Sequence, residues 1–404
     1  MGKPNSKVRS VRVAGPLVQF EVGFRARLRQ AGYTALTSVN QVRLLAHLSQ
    51  WLDGKQLGVA DLTERRVEEF LVERRTKGYT AAVSRRAMVP LVDFLAAQQV
   101  LPIAVPVPLT SPVEILLESF GKYLVRERGL APSTRAVYLN KAGRFLASCA
   151  ADGAVGSVTA REITRAVLAE SSVMSAGSAQ TFVVALHSFL RFCYIDGLVE
   201  ADLSAAALSV SRRRRSSLPR GISKTDARAL LRSCDRRSGI GRRDHAVLLT
   251  LLRLGLRATE VARLTLGDID WRAGEIVVHG KGRREERLPL PTEVGQAIAC
   301  YLRRGRPTTT TREVFVRAVA PVAALGRGGV SWIVRCACRR AGVAEIGAHR
   351  LRHTLACEMV AAGVPLPEIG QVLRHRNLAS TAVYARVDIG QLRSVARVWL
   401  GGSQ

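Results

Sequence analysis

Lysine is scarce in this chain: eight lysines stand against 53 arginines. Acidic residues are scarce as well, 32 against 61 basic ones, which leaves a formal net charge of +29. A bias toward arginine codons accounts for the first ratio but not for the second. The excess therefore points to a polyanionic partner, and the guanidinium fork suits phosphate. Long apolar runs are missing too. The best stretch, 245–256, is interrupted by Arg253 and falls short of the roughly 18 residues of a membrane span. Residues 1–20 lack the apolar core of a signal peptide, so neither membrane nor export is expected. No C-x-x-C pair occurs among the seven cysteines, which reads as reduced, mostly buried thiols in a cytoplasmic protein. None of the four Gly-Lys pairs is followed by Ser or Thr, so there is no P-loop, and no cofactor is expected.

The 404 residues exceed what one compact core usually holds. Two breaks divide them. Residues 100–112 carry Pro102, Pro106, Pro108 and Pro112, which forbid a continuous helix. Residues 211–220 carry Arg212, Arg213, Arg214, Arg215 and Arg220 with no acid, a run suited to a solvated linker and equally to lying along phosphates. The expected domains are 1–105, 106–210 and 211–404.

The first two segments are alike. Gly32 and Gly129 lie 97 apart, as do Thr37 and Thr134, each in a helix–turn–helix pattern. Val59-Ala-Asp-Leu-Thr-Glu lines up with Val158-Thr-Ala-Arg-Glu, and Leu91-Val-Asp-Phe-Leu recurs as Leu186-His-Ser-Phe-Leu. A duplicated module of about four helices follows from this. Beyond 221 the pattern stays helical apart from a hairpin, with strands at Glu275–His279 and Arg287–Leu290 around a loop opening Gly280-Lys-Gly-Arg-Arg. The fold class is therefore mainly α with a small β-hairpin.

Five phrases of the third segment occur in a telling order. They are Gly255-Leu-Arg-Ala-Thr-Glu260, the hairpin Lys281, His349-Arg-Leu-Arg-His-Thr354, Leu373-Arg-His375, and Tyr384 in Thr381-Ala-Val-Tyr-Ala. This resembles the tyrosine recombinase (phage integrase) family over 221–390, and 113–205 looks like that family's helical core-binding domain. The resemblance implies SAM-like helical core-binding domains, with 1–105 a DNA-binding duplicate of 106–210, and a mainly helical catalytic domain at 211–404. It implies a site-specific recombinase or integrase that cuts and rejoins double-stranded DNA at specific core sites through a 3′-phosphotyrosine. It implies a homo-tetramer on DNA, with an accessory recombinase or directionality protein as a further possible partner.

The residue types suit that chemistry. Negative charge grows on the non-bridging oxygens as a nucleophile adds to phosphorus, and Arg257 and Arg352 are permanently cationic forks for it. His349 and Arg352, three apart, share one helix face, and His375 adds a donor. Tyr384 is the nucleophile in this scheme, and since the phosphotyrosine conserves bond energy, no ATP is needed. The leaving 5′-oxygen needs a proton that arginine does not readily give, which suits Lys281 as general acid, against the alternative of an ordinary turn lysine. Arg212, Arg213, Arg214, Arg215, Arg283, Arg284 and Arg374 are candidate DNA contacts.

The phrase Leu373-Arg-His375 departs from the family's Leu-Gly-His, because Arg374 replaces glycine and offers an added phosphate contact. Glu260 either orients a neighbouring cation or makes a surface salt bridge. His349 and His353 have the spacing of a zinc pair but no glutamate between them and no third ligand, so no metal is expected and His353 reads as packed or hydrogen-bonded within its helix. A type IB topoisomerase uses a similar residue set, and a silent DNA-binding accessory protein is the remaining alternative.

Overall fold

The computed structural model describes residues 11–100, 111–150, 152, 154–209, 221–280, 284–375, 381 and 384. The first segment folds as α1 (Glu21–Gln30), α2 (Ala35–Gly54), α3 (Glu64–Thr76) and α4 (Arg85–Ala97). The second folds as α5 (Pro112–Arg126), α6 (Pro132–Cys149), α7 (Ala160–Val173) and α8 (Ala176–Ile195). In each, a 3₁₀ turn precedes the third helix, at Val59–Asp61 and at Val155–Ser157. A threonine then caps that helix: Thr63 Oγ1 accepts from Arg66 N at 3.3 Å, and Thr159 Oγ1 from Glu162 N at 3.4 Å. The Val59 and Val158 stretches each lead into a helix as expected, and the two 3₁₀ turns begin at Val59 and Val155. Buried residues recur in step, Phe24 with Phe120, Leu28 with Leu124, Val67 with Ile163, and Phe94 with Phe189. Each set closes its own apolar core.

The chain forms two compact units, 104–216 and the remainder. Within the larger one, Val322 N donates to Ala31 O at 2.9 Å. The next residue, Gly32, has φ +78°, and a Cβ there would lie 2.7 Å from Val322 Cγ2. Only glycine allows both the turn and that approach.

The third segment supplies α9 (Lys224–Arg232), α10 (Gly239–Arg253) and α11 (Ala258–Arg263), then an antiparallel sheet of β1 (Ile269–Asp270), β2 (Glu275–His279) and β3 (Glu285–Pro289) in that order. It continues with α12 (Thr292–Arg304), α13 (Arg327–Ala341), α14 (Ala348–Ala361) and α15 (Leu366–Val372). Helix α10 runs through the core with Ala246, Val247, Leu248 and Leu251 fully buried, which is why its second half, Ala246 to Leu252, is apolar apart from Thr250. The second hairpin strand starts at Glu285, two residues before the expected Arg287, because Gly280 N closes the loop on Arg284 O at 2.8 Å. β1 was not foreseen; two residues are too few to show an alternation. The expected helices at 379–386 and 390–400 lie outside the described residues except at Thr381 and Tyr384, which are helical.

No described helix is long and apolar enough to cross a membrane. Cys193, Cys234 and Cys338 are buried, and burial pushes the Cys193 thiol up to about 12. The other four cysteines are only half-buried, fewer in the core than expected.

Candidate active site

Two turns meet here, and each is built from local sequence. At the end of α10 the chain reverses through Gly255, whose φ is +56° and whose Cβ, if present, would lie 3.0 Å from methyl groups of Leu355 and Leu373. Arg257 then caps α11. Its backbone N–H donates to Glu260 Oε2 at 2.8 Å while its Nη1 donates to Glu260 Oε1 at 2.6 Å. The Arg-x-x-Glu spacing is thus a helix-start device that also aims a guanidinium. The Glu260 side chain is 4% exposed against 41% for Arg257, so the carboxylate lies beneath the surface.

Arg352, on α14, ties this turn to the second one. It is 1% exposed, and its fork donates from Nη1 to Gly255 O at 2.6 Å and from Nη2 to Leu373 O. Since an arginine fork holds two acceptors in a fixed plane, the turn at 255 and the end of α15 at 373 are set relative to each other. His349 lies one turn earlier on α14 and His353 one residue after Arg352. The two rings meet edge to face at 4.4 Å, and among the described residues no cluster of three or more metal-ligating side chains is present.

His375 follows α15, its Nδ1 2.9 Å from Thr381 Oγ1. Its ring is parallel to that of Tyr384, with centroids 6.3 Å apart. Tyr384 is 2% exposed, packed with Ile369, Leu373 and Val360, and its hydroxyl shares a 2.5 Å hydrogen bond with His353 Nδ1. His353 therefore packs on His349 within its helix, one of the two expected readings, while its hydrogen bond goes to the tyrosine outside that helix. The i, i+4 histidine pair was visible in the sequence; its partner, 31 positions on, was not. Thr381 was also missed, although it sits one helical turn before Tyr384.

Burial sets the protonation states. It pushes His353 down to about 4, helped by His349, Arg350 and Arg352, and pushes His375 down to about 4, helped by Arg352 and Arg257. His349 is lowered by burial and by the same two arginines. Burial raises the Tyr384 phenol to about 12 against the pull of Arg352. Arg352 itself falls to about 10 through burial and the nearby Arg257 and Arg374. Without DNA the histidines are neutral and the phenol keeps its proton.

A pH dependence follows. His353 and His375 bind protons more readily unfolded, near the ordinary 6.5, than folded, near 4. Stability is therefore fully retained above about 6.5 and falls as pH drops from there toward 4. Thermal melts of the full chain are expected to show Tm falling over that window, and His353→Gln, which still bonds the phenol, to make the fall shallower. An identical pH profile for the variant would show that His353 takes no part.

The structure thus brings together Arg257, Glu260, His349, Arg352, His375 and Tyr384, from separate stretches of the chain. Lys281, Arg283 and Arg212–Arg215 lie outside the described residues. Arg284 is exposed at the hairpin loop. Arg374, expected to reach toward DNA phosphate, instead turns inward, its side chain 4% exposed against Glu260 at 3.0 Å.

The sequence profile described as the phage integrase family matches residues 220–390. A protein of Sinorhizobium fredii (strain NBRC 101917 / NGR234), the putative integrase/recombinase y4rA, is 38% identical over 398 residues, 96% of this chain and 96% of its own length. The tyrosine recombinase XerC of Pelobacter propionicus (strain DSM 2379 / NBRC 103807 / OttBd1) is 30% identical over 284 residues, covering 69% of this chain and 93% of its own. Among solved structures, the XerH site-specific recombinase bound to its palindromic difH substrate, a post-cleavage complex, superposes with a TM-score of 0.58 at 17% identity. That match covers 72% of this chain and 98% of the other, and it speaks to the fold.

Proposed function

This chain belongs to the phage integrase family of tyrosine recombinases, and from that premise we propose that it cuts and rejoins double-stranded DNA at specific core sites with Tyr384 as nucleophile. The phenol oxygen attacks phosphorus, its proton passing to His353 Nδ1. The P–O5′ bond breaks, the 5′-oxygen takes a proton from Lys281, and the 3′ end stays on Tyr384 as a phosphodiester. Attack by a 5′-hydroxyl of another strand reverses these steps, so no net energy or ATP is consumed. Arg257, Arg352, His349 and His375 stabilise the charge on the non-bridging oxygens, a role that needs no metal ion.

The observation that carries this reading is the grouping of Arg257, Arg352, His349 and His353 around His375, with the His375 ring parallel to that of a buried tyrosine and His353 already hydrogen-bonded to its hydroxyl. The relatives above are integrases and recombinases, which favours strand exchange over the swivelling of a type IB topoisomerase and over a silent accessory protein. The recurring caps and buried positions support 1–105 as a second copy of the 106–210 core-binding module, both gripping DNA beside a catalytic domain at 211–404. The runs at Arg212–Arg215 and Arg283–Arg284 contact phosphates in this reading. A homo-tetramer on two duplexes, assisted in some sites by an accessory recombinase or directionality protein, is the assembly it requires.

To test it, duplexes bound by the full chain are selected from a randomised pool, rebuilt with a nick beside the scissile phosphate, and resolved on a denaturing gel. A protein–DNA adduct is expected; its absence on every selected site overturns the reading. On the same sites Lys281→Ala should slow cleavage by about 10²–10⁴-fold. It should have little effect where the 5′-bridging oxygen is sulfur, because a thiolate leaves unprotonated. Equal losses on both substrates would remove Lys281 from the general-acid role.

A further inference from the structure

Residue 374 adopts the left-handed conformation, φ +55°, yet it is an arginine. A side chain there costs about 1 kcal/mol that glycine would not incur. The guanidinium is also buried, a second cost. Both are offset by what it meets. Nη2 donates to Glu260 Oε2 at 3.0 Å and lies 3.5 Å from Gly255 O, and Nη1 donates to Val372 O at 3.2 Å. Among the described residues Nε has no hydrogen-bond partner, and it sits 3.8 Å from Glu286 Oε2. The backbone of the same residue accepts from Arg257 Nη2 at 3.4 Å.

Glu260 is therefore shared by two guanidiniums. Burial raises its carboxyl, and the Arg257 backbone N–H with the Arg374 and Arg257 charges overcomes that and holds it ionised, below its ordinary range. With glycine at 374 the Arg257–Glu260 pair would be neutral at contact distance, and the field of Arg257 at a nearby phosphate would be largely cancelled. The second guanidinium restores a surplus of one positive charge over the buried Glu260; the carboxylate of Glu286, 3.8 Å from Arg374 Nε, is 42% exposed and screened by solvent.

We propose that Arg374 is a positioning and charge-setting residue of the cleavage reaction: by engaging Glu260 it orients that carboxylate and leaves the Arg257 guanidinium effectively un-neutralised toward the scissile phosphate. Arg374 acts through Glu260 and Arg257 without touching DNA. This rests on the phosphate-site reading above and extends it to a residue that the family phrase has as glycine.

The test uses the full chain and one selected duplex made in two forms, with a phosphodiester or with a methylphosphonate at the scissile position; the second lacks one non-bridging charge. R374G suits the backbone and removes the guanidinium. Its strand-cleavage rate should fall by about 10- to 100-fold on the phosphodiester, the effect of one charge-assisted contact. On the methylphosphonate the loss should shrink to a few-fold, because the charge that Arg374 helps to balance is gone. R374K and R374Q, similar in length but differing in charge, carry the same comparison if the glycine variant does not fold by circular dichroism. R374K should exceed R374Q on the phosphodiester and match it on the methylphosphonate. Equal losses on both substrates, or no loss on either, overturn the proposal. An absence of wild-type adduct would instead overturn the functional reading beneath it.

Discussion

Tyr384→Phe should abolish covalent capture of DNA and leave site-specific binding in place. The change deletes one oxygen from a ring packed among Ile369, Leu373 and Val360, so the apolar contacts persist. The hydrogen bond to His353 is lost, a cost of about 0.5–1.5 kcal/mol. Nothing else described in the segment offers a phenol. Tyr301 is buried, stacked on Phe315 with ring centroids 5.8 Å apart, and its hydroxyl accepts from Val316 N at 3.4 Å. The other five tyrosines lie at or before Tyr194. With its phenol pushed up to about 12 by burial, Tyr384 attacks only where cations stabilise the phenolate and the phosphate together. A suicide duplex incubated with both proteins provides the measurement. An adduct from the phenylalanine protein at the same phosphate would remove Tyr384 from the role.

Arg352→Lys should damage both rate and stability while keeping the charge. The lysine places its three N–H donors on one nitrogen instead of on the two Nη atoms of the planar fork, so the bonds to Gly255 O and Leu373 O lose their paired geometry and at least one weakens. That costs about 1–3 kcal/mol, read as a lower urea midpoint with unchanged m. Cleavage should fall further, by about 10²–10³-fold, because the turns carrying Arg257 and His375 are no longer held together and the planar fork is gone from the phosphate site. Loss of stability with an unchanged cleavage rate would reduce Arg352 to a structural brace.

Much of the site was legible because its parts are local. Arg-x-x-Glu is both a sequence spacing and a helix-start geometry, so Arg257 and Glu260 were found together. Gly255 precedes them because the backbone there has φ +56°. His349 and Arg352 share a helix face by their three-residue separation.

Other features depend on contacts that no window of sequence contains. The hairpin register followed from the closure of Gly280 on Arg284 rather than from alternation. His353 carried the same spacing whether it bound zinc, packed in its helix or met the phenol; its partner lies 31 positions away. Arg374 illustrates the limit most clearly. Composition and charge pointed to a polyanionic partner, and the ordered phrases singled out Arg257, His349, Arg352, His375 and Tyr384, because both are properties of residue type and short spacing. The direction of the Arg374 side chain was decided by tertiary structure, since Glu260 lies 114 positions earlier and is reached only when the start of α11 meets the turn after α15. A buried carboxylate attracts whichever cation the fold brings within reach, and that proximity is set by packing across the whole domain.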